Sequence, residues 1–332
     1  MGRVRYVVHG RGLGHATRAL ALMNHLRAAG HEVIVAGGRD ALAVLRAQGP
    51  VEEAPSLTPG MGLLATLSGL ATRVFAERRA LSRDDIALVI SDGDLPALLG
   101  AATKRLPSIA IGHGLVFSHA RRPEAVDPAR WAREARKARL ASLTSKRQIA
   151  VNFAPLEPAM PSATVARPEL RPGLEREAPG PQGRIIAYFR DDNGAEVLSA
   201  LVAQGERPLL FSDKSEAPGG VEVVKRDPEA FQGALQKARA VVSSAGSQLI
   251  SECAHLGIPH FALHDENDDE QALNVQMLAQ DPRGAGSSFR AFDPDNLRDL
   301  LERSEGSGAT ETRPWGPGAG QALLEAVDAL IV

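Results

Sequence analysis

Residues 6–26, "YVVHGRGLGHATRALALMNHL", read as one supersecondary unit. The apolar Tyr6-Val7-Val8 run is a buried strand, three alternate glycines make a turn, and a helix follows from about residue 15 to 29. Strand, glycine turn and helix in that order open a parallel α/β domain. The alternation continues through "HEVIVAGG" (31–38), "IALVISD" (86–92), "PSIAIGH" (107–113) and "IAVNF" (149–153). Continuous apolar runs of this kind belong to parallel strands covered by helices on both faces.

Residues 154–183 change character, with seven prolines in thirty positions. That density predicts a stiff, extended connector with no packed core. The alternation then restarts with "RIIAYF" (184–189), "PLLFS" (208–212), "VEVVK" (221–225), "AVVSSA" (240–245) and "PHFAL" (259–263), with helices over 228–238, 247–255 and 269–279. The expected fold is therefore α/β, two doubly wound Rossmann-like domains facing across a cleft. The expected boundaries are 1–155, a proline-rich linker 156–183, 184–316, and a last helix within 317–332 packing back on the first domain.

Composition narrows the function classes. A net charge of −2 on 332 residues argues against a general nucleic-acid binder. The single cysteine, Cys253, excludes an internal disulfide and a cysteine metal cluster, which fits a reducing cytoplasm. No run approaches the length of a membrane span, and the N-terminal strand is too short for a signal peptide.

Two places carry chemistry. In the first turn, the spacing Gly10-x-Gly12-x-Gly14-His15 breaks the dinucleotide fingerprint, which needs glycine where His15 stands. The plain alternative is a tight turn with a surface histidine. The functional reading lets a ligand approach the glycine backbone while His15 projects from a helix N-terminus, where the dipole disfavours an imidazolium. Arg18 shares its helical face.

The second place is "SSAGSQLISECAHLGIPHFALHDENDDEQALNVQML" (243–278). Small residues from Ser243 to Ser247 lead straight into a helix, whose N–H groups suit an anion such as a diphosphate. Glu252, farther along that helix, can accept hydrogen bonds from a ribose diol. An acidic loop then ends in Glu270-Gln271, with Asn274 on the next helical face, side chains that suit sugar hydroxyls. The alternative for this loop is a solvated charge run.

On "GLGHATR" and "SSAGSQLISECAHLGIP…DEQALN" the chain resembles the GT-B glycosyltransferases, in particular the branch of the peptidoglycan lipid-intermediate N-acetylglucosaminyltransferase and the UDP-glycosyltransferases. The resemblance implies a second domain that binds a nucleotide diphosphate sugar and a first domain that binds the acceptor. It implies diphosphate contacts at Gly246 and Ser247, donor binding at Ser244, a ribose contact at Glu252, and sugar contacts at Glu270, Gln271 and Asn274. His15 falls where members keep a catalytic base, and Asp92 of "VISDGD" where some keep the acid that orients it. Two departures stand out. Arg18 replaces a common proline, a form similar to microbial cell-surface transferases and to a sugar-nucleotide hydrolase. "YFRDDN" replaces a glycine-serine turn, which makes Arg190 a candidate phosphate contact.

Gly12, Gly14, Arg18, Asp94 and His113 complete the expected acceptor side, with His9 read as structural. Asp92-Gly93-Asp94 also matches a metal-binding D-x-D triplet, but the two-domain layout contradicts the fold that uses it, so neither metal nor cofactor is expected. Residues 121–147 hold nine Lys/Arg against three acids. They are read either as a solvated helix or as a surface for an anionic partner, including a peripheral contact with the inner membrane face. The apolar stretch 61–79 is read as helix core, with a lipid-facing groove as its alternative. The expected activity is inverting, metal-independent transfer from a nucleotide diphosphate sugar, UDP foremost, to a small-molecule, glycan or lipid-linked hydroxyl. The alternatives are a sugar-nucleotide hydrolase or epimerase and a non-catalytic nucleotide-sugar sensor.

Overall fold

A computed structural model describes residues 2–10, 13–55, 63–171, 173–175, 183–305 and 315–331. The chain divides into two compact units, the first comprising Met1–Arg122, Ala132–Arg171 and Trp315–Val332, the second Pro123–Trp131 and Pro172–Pro314.

Unit 1 is a parallel sheet of β1 (Arg3–Val8), β2 (Glu32–Gly37), β3 (Glu52–Glu53), β4 (Leu88–Asp92), β5 (Ser108–Gly112), β6 (Arg147–Val151) and β7 (Ala163–Ala166), in the order β3-β2-β1-β4-β5-β6-β7. Its helices include α1 (Leu13–Ala28), α2 (Arg39–Arg46), α3 (Leu63–Arg83), α4 (Leu95–Thr103), α5 (Val116–His119) and α6 (Pro128–Ala141). Strand periodicity sends Val4, Tyr6 and Val8 into one core with Leu22 and Leu26 of α1. The chain end supplies part of this core, through Ala322, Leu323 and Val327 of a last helix, Ala319–Asp328.

Two expectations change here. The proline-rich stretch is not a connector throughout, because β7 lies within it and pairs with β6. Four residues free of proline, "ATVA", suffice for an edge strand, with Val165 and Ala166 buried. The apolar stretch 61–79, as far as described, is not a simple core helix either. α3 leaves Leu67 and Phe75 exposed and buries Arg73 and Glu77 instead. Those charges go inward because they have partners. Arg5 Nε donates to Glu77 at 2.7 Å, Arg73 Nη1 donates to Glu77 at 2.9 Å, and Arg73 Nη2 reaches Asp94 at 3.3 Å.

Unit 2 repeats the plan with β8 (Ile185–Tyr188), β9 (Leu209–Phe211), β10 (Glu222–Val224), β11 (Ala240–Ser244), β12 (His260–His264) and β13 (Gly284–Ser288), all parallel, in the order β10-β9-β8-β11-β12-β13. Its helices are α7 (Ala195–Ala203), α8 (Pro228–Gln236), α9 (Ser247–Leu256), α10 (Asp269–Leu278) and α11 (Pro294–Glu305), which makes the last helix α12. Helix starts carry the expected chemistry, since Asp227 and Asp268 accept from the backbone N–H three residues on. β13 was not legible as a strand, because "GAGSS" has no large apolar residue. Its Gly286 is required by packing, since a Cβ there would stand 2.0 Å from the Ala262 carbonyl oxygen.

Candidate active site

In unit 1 the strand order reverses between β1 and β4, which lie side by side with Val8 opposite Asp92. Ligand sites in doubly wound sheets form at the carboxyl ends of such strands. His9 N–H donates to the Asp92 carbonyl at 2.9 Å and closes this edge. His15, in the first turn of α1, brings Nδ1 to 2.6 Å from Asp92 Oδ1. Arg18 reaches the same carboxylate with both arms, Nε to Oδ2 at 3.0 Å and Nη2 to Oδ1 at 2.5 Å. Its Nη2 also stands 3.1 Å from His15 Nδ1.

Asp92 is fully buried. Burial opposes its charge, but Arg18 and His15 outweigh it and hold the carboxyl at about 2. An ionised carboxylate only accepts, so the 2.6 Å contact requires the His15 proton on Nδ1. In the neutral ring Nε2 then carries the lone pair, an arrangement that can serve as a general base oriented by an acid. The His15 side chain is 34% exposed. Gly93 makes room for it, at φ +79°, where a Cβ would stand 3.4 Å from His15 Cε1 and 3.2 Å from His9 Cβ.

Unit 2 reverses between β8 and β11. There Arg190 N–H donates to Ser244 Oγ at 3.1 Å, and Gly246 N–H turns back to the Ser244 carbonyl at 2.7 Å. Asn274 Nδ2 donates to the Ala245 carbonyl at 3.0 Å and is itself 1% exposed. The turn is thus braced from α10 before α9 begins at Ser247. The donors without a preceding helical carbonyl are those of Ser247 and the next residues, whereas the Gly246 N–H, expected to meet a diphosphate, is engaged within the turn. Glu252 is fully buried and accepts from Gln248 Nε2 at 3.2 Å. Gln271 is buried and Glu270 half-buried in the first turn of α10, whose cap Asp268 also takes a 3.4 Å contact from Arg190 Nη2. Arg190, Ser244, Ser247 and Gln271 therefore gather at the carboxyl ends of β8, β11 and β12.

A family model described as glycosyl transferase family 1 matches residues 61–304. The chain belongs to that family. Among solved structures, the kitacinnamycin glycotransferase is 18% identical with a TM-score of 0.68, covering 100% of this chain and 99% of its own. MurG of Acinetobacter baumannii is 15% identical, TM-score 0.65, with 99% and 100% covered. A Listeria monocytogenes protein described as a UDP-N-acetylglucosamine 2-epimerase is 12% identical, TM-score 0.65, with 98% and 96% covered. No curated protein sequence matches significantly. The fold is GT-B, and the protein is a glycosyltransferase.

Asp94 caps α4 by accepting from Ala97 N–H at 3.0 Å, and it faces Arg73. Both contacts are structural. His113 is 5% exposed, contacts the Val151 carbonyl through Nδ1 at 3.0 Å and stacks on Phe153. Gly14 has open space where a Cβ would stand, while Gly12 lies outside the described residues. The basic stretch 121–147 is partly neutralised, within itself by Lys137 on Glu134 and from outside by Arg130 on Asp269 and Arg121 on Glu157. Among the described residues no helix is long and apolar enough to cross a membrane.

Sequence reading missed two contributors. Gly93 looked like the middle of a metal triplet, and only its positive φ reveals a seat for the imidazole. His260, at the start of β12, is buried and pushed down to about 3 by that burial, with Nε2 2.8 Å from Ser243 Oγ. Ser243 Oγ donates in turn to the Ser244 carbonyl at 3.0 Å, so a neutral histidine underpins the turn at the end of β11.

Proposed function

We propose that this glycosyltransferase is inverting and metal-independent, moving a sugar from a nucleoside diphosphate sugar, with UDP the expected nucleotide, to the hydroxyl of a small-molecule, glycan or lipid-linked acceptor. The observation that carries the reading is the 2.6 Å contact between His15 Nδ1 and the buried Asp92 carboxylate. In the proposed step His15 Nε2 takes the acceptor proton as the acceptor oxygen bonds to the anomeric carbon. The bond from that carbon to the diphosphate breaks on the opposite face. The α9 N-terminus at Ser247 and the Arg190 guanidinium stabilise the departing diphosphate. Glu252 receives the ribose, and Glu270 and Gln271 the sugar, while Asn274 braces the turn.

Metal independence is supported by the engagement of both D-x-D carboxylates, Asp92 with Arg18 and His15, Asp94 with Arg73 and Ala97. EDTA is expected to leave the activity intact. A thermal-shift screen of nucleoside diphosphate sugars identifies the donor, since a ligand at ~100-fold its Kd adds about 2.7 kcal/mol. With that donor, His15→Ala should lower turnover by about 10²–10⁴ at unchanged donor affinity. Turnover within about threefold of wild type would remove His15 from the chemistry. Donor incubated without acceptor separates transfer from hydrolysis or epimerisation, through free or epimerised sugar.

A further inference from the structure

Asp92 faces two side chains at once, the Arg18 guanidinium and the His15 ring. We propose that Arg18 tunes the base: by taking both oxygens of Asp92 it cancels the charge that would otherwise keep the imidazole protonated. The inference rests on the reading of His15 as the base, and assigns Arg18 a positioning and electrostatic role rather than an acceptor contact.

The Asp92 carboxylate is fully buried and Arg18 is 5% exposed, so the net charge of the cluster weighs on which protonation state is favoured. With Arg18 present, Arg18 and Asp92 sum to zero, and protonating His15 makes the cluster net positive. Without Arg18 the pair of Asp92 and neutral histidine is net negative, and protonation makes it neutral. A poorly solvated cluster favours the state of lower net charge, so loss of Arg18 favours the imidazolium. An imidazolium has no lone pair with which to accept a proton.

His9 meets the His15 ring edge-on with centroids 6.0 Å apart. Tyr6, below on β1, is buried, its hydroxyl without a partner among the described residues, and it senses both Asp92 and Arg18. From β5, Gly112 presents bare backbone, where a Cβ would stand 3.6 Å from both Arg18 Nη2 and Asp92 Oδ1. The nearby carboxylate Asp94 is occupied by Arg73 and the α4 N-terminus.

Carbon-detected NMR titration of ring-labelled histidine reads the effect without donor or acceptor, the His15 resonance being assigned by its loss in His15→Gln. In Arg18→Met the His15 midpoint should lie at least about one pH unit above wild type, whereas Arg18→Lys, which keeps the charge, should stay within about half a unit. A midpoint unmoved or lowered in Arg18→Met, or moved equally in Arg18→Lys, would overturn the proposal. Should Arg18→Met fail to fold, Arg18→Gln carries the same expectation. In turnover, the Arg18→Met deficit should be about tenfold near neutral pH and shrink as pH rises. A deficit constant across pH would count against Arg18 as a tuner. A His15→Ala variant that turns over normally would instead refute the base assignment, and the NMR result would still decide the role of Arg18.

Discussion

Replacing Asp92 by asparagine keeps the shape of the side chain and removes its charge, so the cost is electrostatic. The Asp92 carboxyl sits at about 2 against an ordinary aspartate value of about 3.9, and the difference corresponds to about 2–3 kcal/mol of stability at neutral pH. That figure already includes leaving Arg18 beside a neutral group, and Asn Oδ1 can still accept one guanidinium N–H. The loss should be about 2–3 kcal/mol at pH 7, at or just under the range for breaking a buried pair. The sign with pH follows from the lowered folded-state value. The stabilisation is complete above about pH 4 and is lost as pH falls toward 2. Urea unfolding of wild type and Asp92→Asn at several pH values should therefore show a gap that is widest at neutral pH and narrows below about pH 4. A gap under about 1 kcal/mol at pH 7, or one that persists unchanged on acidification, would refute the account. Turnover should fall less than in His15→Ala, because the base is retained and only its orientation is lost.

Gly93→Ala places a Cβ at φ +79° against His9 and His15, so it should destabilise by about 1–2 kcal/mol and lower kcat more than it raises KM. Equal stability and kinetics in the variant would deny Gly93 its seating role. His260 is refused a proton in the folded state until about pH 3, while the unfolded chain binds one near pH 6.5, so stability drains as pH falls below that value. His260→Leu should remove this slope in an unfolding series between about pH 6.5 and 4.5, and a slope equal to wild type would contradict it. Glu252→Ala should weaken nucleotide binding about tenfold to a hundredfold by calorimetry, through loss of a charged acceptor worth about 1.5–3 kcal/mol, and undiminished affinity would reject the ribose contact.

Much of the fold was open to reading along the chain, because parallel strands buried on both faces need uninterrupted apolar runs, and helices announce their starts with Asp, Ser or Pro. "YVV", "LVI" and "IIAY" could belong to little else. Where the signal failed, the physics explains it. β7 is an edge strand of four residues among prolines, and β13 pairs through bare glycine backbone, so neither carries the side chains that mark a strand. α3 inverted the usual pattern because its buried charges are satisfied by Arg5 and Asp94, partners distant in sequence.

The candidate site divides along the same line. The local sequence determined which chemical groups were available: an imidazole at the start of α1, a turn of small residues before α9, and carboxylate and amide groups opening α10. Tertiary structure decided how they are used. His15 and Asp92 are separated by 77 positions and meet only because β1 and β4 are neighbours at the reversal of the sheet order. That adjacency also turns Arg18 toward Asp92, while α3 packed on α4 engages Asp94 with Arg73 and, in the second unit, α10 binds Asn274 to Ala245. A side chain's role depends on which partner reaches it first in a poorly solvated interior. That competition is settled by strand order and burial, quantities that a linear pattern does not contain.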